Sequence, residues 1–164
     1  MHMGTVDLRK WETGSVWSGQ EGYESMKLKI AIVEDDKWDI DILETFLRRY
    51  EREHDLELCI FCYCSGEEFL KAASAEKYEI IFMDIYMGEG IDGIETACGL
   101  RELGEEGLIV FLTNSRDDIW RAVGMHTCFD YIDKERLDYA RTEKLLDDAC
   151  RKLCRQRKTL EFYS

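Results

Sequence analysis

Residues 79–87 read EIIFMDIYM, and the reading of this stretch decides the fold. Its apolar residues run without interruption up to Asp84 instead of alternating with polar ones. A short continuous run of this kind fits a strand covered on both faces, as in a parallel sheet. A carboxylate inside such a run is costly unless something neutralises it. Asp84 therefore asks for a partner.

Working outward, similar runs recur. LKIAIV (28–33), LELCIFCY (56–63), YEIIFMD (78–84), LIVFLT (108–113) and CFDYID (128–133) predict five strands. Helical patterns separate them. DDKWDIDILETFLRRYERE (35–53) places Ile40, Leu43, Leu47 and Tyr50 at helical spacing. SGEEFLKAASAE (65–76) opens with a capping-box pair, Ser65 and Glu68. Ile94, Ala97 and Leu100 form a stripe after a glycine-rich loop. SRDDIWRAVGMH (115–126) predicts a short helix capped by Ser115. ERLDYARTEKLLDDACRKLCRQRK (135–158) predicts a long last helix. Strands alternating with helices argue for a single α/β doubly wound parallel sheet with helices on both faces. Sites in such sheets lie beyond the C-terminal strand ends, where strand order reverses.

Those ends carry Glu34-Asp35-Asp36, Asp84, Thr113 and Asp133-Lys134. Any one acid there is an ordinary helix cap, and Asp36 or Asp39 fits that role. Several acids converging repel one another and raise each other's pKa values. A divalent cation removes that cost. Hard oxygen donors favour Mg²⁺, which keeps several waters and so leaves room for a phosphoryl oxygen. Lysine and hydroxyl groups nearby suit the remaining phosphoryl oxygens. An aspartate beside Mg²⁺ is a plausible nucleophile toward a phosphoryl donor.

Composition bounds the rest. The 164 residues suffice for one domain, and 45% hydrophobic content excludes a disordered chain. No apolar run reaches the about 18 residues of a membrane span, and the N-terminus has no signal-peptide core. Seven cysteines, an odd number, fit a reducing compartment, and the expected location is cytoplasmic. The net charge of −13 argues against this chain holding nucleic acid by itself. Residues 1–25 lack a sustained period, and Met26 directly precedes the first strand run. We expect 1–25 to be a leader derived from cloning or poorly ordered, 26–155 to be the domain, and 156–164 to be a linker or the start of an output domain.

IAIVEDD, IIFMDIYM, IVFLT and FDYIDK, in this order, resemble the receiver domain of two-component response regulators over roughly Lys27 to Arg155. The resemblance implies a flavodoxin-like sheet of order 2-1-3-4-5. It implies that Asp84 is phosphorylated by a sensor histidine kinase or a small phosphodonor. Asp35, Asp36, Asp84 and the Tyr86 backbone carbonyl would hold Mg²⁺, with Asp36 favoured for direct coordination and Glu34 a weaker candidate. Thr113 and Lys134 would bind the phosphoryl group, and Tyr131 matches the aromatic switch position. Homodimerisation through the helix 4–strand 5–helix 5 face, which carries Arg116, Asp117, Asp118, Arg121, Asp130 and Asp133, is a further implication. YEIIFMDIYMGEGIDGIETACGLRE (78–102) and GLIVFLTNSRDD (107–118) look most like receivers of LytTR-type transcription factors, and KTLEFYS (158–164) resembles the first strand of their DNA-binding domain. Two positions depart from the family pattern. Glu135 follows Lys134 where proline is usual, so the loop is expected to be trans or reshaped. Asn114 follows Thr113 where a small residue is commoner.

Other features have plainer readings. Cys59, Cys62 and Cys64 in CIFCYC are expected to pack in the core, because a zinc site wants a fourth ligand. Cys150 and Cys154 join the apolar stripe of Leu146 and Leu153. Arg151, Lys152, Arg155, Arg157 and Lys158 suit a helix C-terminus. His2, His54 and His126 form no constellation in the sequence. Three competing functions deserve tests. A phosphohydrolase with an aspartyl nucleophile wants a second acid two residues on, where Tyr86 stands. A flavin carrier wants a phosphate-cradling loop after strand 1, where EDDK would repel the phosphate. A degenerate receiver would switch without phosphorylation.

Overall fold

The computed structural model describes residues 26–114, 116–124 and 128–163, the side chains of 116 and 158–163 excepted. The five expected strands form: β1 (Met26–Val33), β2 (Leu56–Tyr63), β3 (Ile80–Asp84), β4 (Leu108–Thr113) and β5 (Cys128–Asp133). They make one sheet of order β2-β1-β3-β4-β5, and every neighbouring pair is parallel. The helices are α1 (Lys37–His54), α2 (Gly66–Ala73), α3 (Gly93–Glu102), α4 (Ile119–Val123) and α5 (Tyr139–Tyr163).

The continuous apolar runs reflect two cores, one on each face. Alternate strand residues point to opposite sides of a sheet. Leu28, Ile30, Ile32, Ile80, Phe82, Val110 and Leu112 pack with Leu43, Leu47 and Tyr50 of α1 and Leu145, Leu146 and Ala149 of α5. Their neighbours Ala31, Val33, Ile81, Met83, Ile109 and Phe111 pack with Phe69 of α2, Ala97 and Leu100 of α3, and Ala122 of α4. Cys150 and Cys154 are buried on the α5 stripe, as expected. Cys62 and Cys64 are exposed instead of packed. Cys62 lies near the C-terminal end of β2, an edge strand hydrogen-bonded to a neighbour on one side only, and Cys64 just beyond it. All seven cysteines are free thiols.

Local signals set most helix starts. Ser65 Oγ accepts from Glu68 N–H at 3.1 Å, while the Glu68 carboxylate reaches Cys64 N–H rather than Ser65 N–H. Asp92 and Glu95 form a full capping box on α3. The last helix begins four residues later than the pattern predicts. Lys134–Arg136 form a 3-10 turn, and Asp138 caps α5 by accepting from Arg141 N–H at 2.7 Å. Helix α5 then continues through Tyr163, so KTLEFY runs on as helix and not as a strand. The fourth helix is cut short: Arg116–Asp118 are 3-10, and five α-helical residues follow. Its expected cap, Ser115, lies outside the described residues, as do the leader, His2 and His126. Among the described residues no peptide bond is cis, and no helix is long and apolar enough to cross a membrane.

Candidate functional site

The sheet order reverses between β1 and β3, because β2 lies outside β1 while β4 and β5 continue beyond β3. The C-terminal ends of these two strands deliver Glu34 and Asp84 side by side. Glu34 extends β1 by one more ladder bond, its N–H donating to Tyr63 O at 3.0 Å, and its side chain is buried. Asp84 ends β3 and is also buried. Asp35, exposed, completes a group whose carboxylate oxygens all lie within 4.8 Å of one another.

Asp36, expected as the leading metal ligand, is not part of this group. It is the N-cap of α1, and its Oδ1 accepts from Trp38 N–H at 2.8 Å. The strand ends at Val33, as expected, so Glu34 and Asp35 take the strand-end positions, while one Asp36 oxygen is engaged in capping the helix. Asp36 N–H in turn donates to Glu34 Oε1 at 3.0 Å.

Lys134, one residue past β5, reaches across the strand ends. Its Nζ lies 2.6 Å from Glu34 Oε2, 2.9 Å from Asp39 Oδ2 and 3.3 Å from Asp84 Oδ2. Glu135 in place of proline therefore leaves the ammonium beside Asp84. Asp39 was read as a cap alternative only. Its position in the first turn of α1, three residues past the cap, was the signal that it faces the strand ends. Thr113 is buried at the end of β4, one residue beyond the register partner of Asp84. It stands opposite Asp133, the residue before Lys134. Asn114 is exposed. Tyr131 lies on β5 with 40% of its surface exposed. Tyr86 N–H approaches Asp84 Oδ1 at 3.3 Å, and its phenol donates to Asp118 Oδ1 at 2.6 Å.

The loop after β3 is held close by Gly93. Its N–H donates to Ile85 O at 2.8 Å, and a Cβ at this position would run into the Asp84 carbonyl oxygen. The first turn of α3 thus packs against the backbone that presents Asp84.

The electrostatics are those of an overcharged acid cluster. Four carboxylates, Glu34, Asp35, Asp39 and Asp84, meet one ammonium. Burial pushes Glu34 up to about 7 against the pull of Lys134. Burial raises Asp84 as well, with Lys134 the chief opposing influence. Burial disfavours the Lys134 charge, but Glu34, Asp39 and Asp84 outweigh it and hold the group above its ordinary pKa. This donor set of clustered hard oxygens with one open, exposed side fits a magnesium ion. Glu34, Asp35 and Asp84 are the residues that would hold it.

Comparison with known proteins now has a site to refer to. A family model described as the response regulator receiver domain matches residues 30–144. Comparison with curated proteins gives no match. The N-terminal domain of a response regulator/sensory box/GGDEF protein from Carboxydothermus hydrogenoformans is similar at 26% identity and TM-score 0.65, covering 76% of this chain and 95% of that one. A two-component response regulator from Clostridium difficile is similar at 26% identity and TM-score 0.59, covering 73% and 96%. The receiver domain of a sensor histidine kinase from Pseudomonas aeruginosa shares the fold at 21% identity and TM-score 0.63, covering 76% and 98%; that structure has a magnesium ion coordinated in its active-site cleft.

Proposed function

The chain belongs to the response regulator receiver domain family, and from that premise we propose that it is a phosphorylatable switch with Asp84 as its phosphoacceptor. The observation that carries the reading is Asp84 itself: a buried strand-end carboxylate 3.3 Å from the Lys134 ammonium and grouped with Glu34 and Asp35. When bound, magnesium neutralises the carboxylates and offers the phosphoryl oxygens a cation. Asp35 and Asp84 would hold it, with the Tyr86 carbonyl as a further ligand and Glu34 in support.

An Asp84 carboxylate oxygen attacks phosphorus, and the bond from phosphorus to the donor atom breaks. The donor is a phosphohistidine of a sensor kinase, which leaves as the free imidazole, or a small acyl phosphate, which leaves as its carboxylate. The product is an aspartyl phosphate. Lys134 leaves its carboxylate partners to meet a phosphoryl oxygen, and Thr113 Oγ1 donates to another. The added charge biases the surface around Tyr131, which lies on β5, the strand that pairs with the end of β4 at Thr113 and leads into Lys134. The output is a protein–protein contact, homodimerisation through α4, β5 and α5 among them. Control of transcription through a LytTR-type domain rests on the resemblance of residues 78–102 and 107–118 alone. A cytoplasmic location agrees with the free thiols.

Incubation with Mg²⁺ and acetyl phosphate tests the assignment. We expect one hydroxylamine-sensitive adduct per chain, lost on chelation and in Asp84→Asn. Labelling that persists in that variant rejects the site. Absence of any label supports the degenerate reading, and sustained turnover of phosphomonoesters supports the phosphohydrolase.

A further inference from the structure

A second group of ligand-bearing side chains lies where the end of α1 meets α5, apart from the residues around Asp84. Glu53 and His54 close α1. Glu143 and Asp147 sit one turn apart on α5, so their carboxylates share a helix face. One oxygen each from Glu53 and Glu143 and a ring nitrogen of His54 lie within 4.8 Å of one another. Asp147 joins them: His54 Nε2 is 3.8 Å from Asp147 Oδ1 and 3.8 Å from Glu143 Oε2.

His54 makes this more than a cluster of acids. Its side chain is 0% exposed, and its ring stacks on Tyr50 at 3.8 Å between centroids. Its Nδ1 lies 3.0 Å from the Tyr50 carbonyl oxygen. A carbonyl only accepts, so this geometry assigns the proton to Nδ1 and leaves Nε2, in the neutral ring, with a lone pair. Nε2 is buried without a hydrogen-bond partner, because 3.8 Å is too long for one. A histidine oriented by a backbone carbonyl through one nitrogen, with the other nitrogen facing carboxylates, is arranged as metal-ligating histidines are.

Besides His54, the positive charges near these carboxylates are Arg49 at Glu53 and Arg151 at Asp147. Glu53 accepts from Arg49 Nε at 3.0 Å and from the Tyr139 hydroxyl at 2.6 Å. The same hydroxyl is 3.2 Å from Glu143, but it has one proton to give. Asp147 accepts from the Tyr50 hydroxyl at 2.7 Å. The ion-pair contacts described for Glu143 and Asp147 are both to His54.

We propose that His54, Glu53, Glu143 and Asp147 form a second divalent-cation site, of the zinc class, that fastens the end of α1 to α5. One imidazole nitrogen with carboxylate oxygens suits zinc or a neighbouring transition ion, whereas magnesium prefers oxygen donors. Tetrahedral zinc with bonds near 2.1 Å spaces its ligand atoms by about 3.4 Å. Small side-chain rotations bring 3.8 Å to that value.

The test is zinc titration of the full chain carrying Asp84→Asn, Cys62→Ser, Cys64→Ser and Cys98→Ser, which weakens the acid cluster at the sheet edge and removes the exposed thiols as competitors. Calorimetry should give one zinc per chain, and zinc should raise the Tm. His54→Gln should weaken binding at least about ten-fold. Glu143→Gln, at a partly exposed position, should weaken it too while the circular dichroism spectrum stays native, and it decides the matter if the histidine variant fails to fold. Either no zinc binding or binding unchanged in a folded variant overturns the site.

Discussion

Lys134 is the residue on which the acid cluster balances. Its side chain is 10% exposed and contacts Glu34, Asp39 and Asp84. Removing it leaves buried carboxylates facing one another, and breaking a buried ionic arrangement by deleting one partner costs roughly 3–5 kcal/mol. Lys134→Met should therefore lower urea stability by a few kcal/mol in chelator, with much of the loss recovered in saturating Mg²⁺. A variant equally unstable with and without the cation would separate Lys134 from the metal. Glu34 gives the pH dependence. Its folded pKa of about 7 lies above the ordinary value of 4.5. The folded state then binds more protons than the unfolded one between these values, so stability falls as pH rises from about 4.5 to 7. The fall is at most about 3 kcal/mol at 1.36 kcal/mol per pKa unit. Glu34→Gln should flatten the profile in metal-free buffer; a profile identical to that of the parent chain would show that Glu34 does not titrate there.

Among elements, the strands were the most legible in sequence and the helix ends the least. Runs at 56–63, 108–113 and 128–133 match β2, β4 and β5 residue for residue; β4 is buried along its whole length, whereas the edge strands β2 and β5 keep exposed positions and are bounded instead by the polar turn residues that follow them. The boundary between β1 and α1 hid a one-residue choice. Three consecutive acids offer the same chemistry, and only the ladder bond to Tyr63 and the cap on Trp38 separate Glu34 from Asp36. The partnership of Lys134 with Asp39 spans 95 positions and leaves no trace in any local pattern. The same holds for His54, whose partners lie on another helix. At α3 the local and the long-range meet. Asp92 forms the capping box with Glu95 and also binds Arg121 of α4 at 2.9 Å. Asp92→Ala should cost about 1–2 kcal/mol, mostly from the cap. Arg121→Ala, which removes a half-exposed guanidinium 2.9 Å from Asp92 and 3.7 Å from the buried Asp118, should cost about 1 kcal/mol or less. Chemical denaturation of the two variants checks the order, and a larger loss for Arg121→Ala would place the anchoring of α3 in the contact with α4.

For the whole molecule, the face made by α4, β5 and α5 decides whether the chain stays alone. Four of the charges on this face, Asp118, Arg121, Asp130 and Asp133, are engaged within the chain. Asp118 is buried under the Tyr86 hydroxyl, Arg121 binds Asp92, Arg141 binds Asp130 at 2.8 Å, and Asp133 accepts from Glu135 N–H. Trp120, Val123 and Tyr131 remain exposed on the same elements. Intermolecular ion pairs would first have to break the internal ones, and exposed pairs bring little net gain in exchange. The net charge of −13 adds general repulsion between copies. The chain as it stands should therefore sediment as a monomer at micromolar concentration. On the proposed reading, a phosphoryl mimic on Asp84 would draw on Thr113, at the end of β4, and on Lys134, just past β5, and so would shift the strand that carries Tyr131. Beryllofluoride with Mg²⁺ should then promote dimers that Trp120→Ala weakens and Asp84→Asn prevents. Sedimentation equilibrium with and without beryllofluoride reads both states. A dimer of equal strength in the untreated chain, still dependent on Trp120, would mean that the face is complete without phosphorylation and that the switch acts elsewhere.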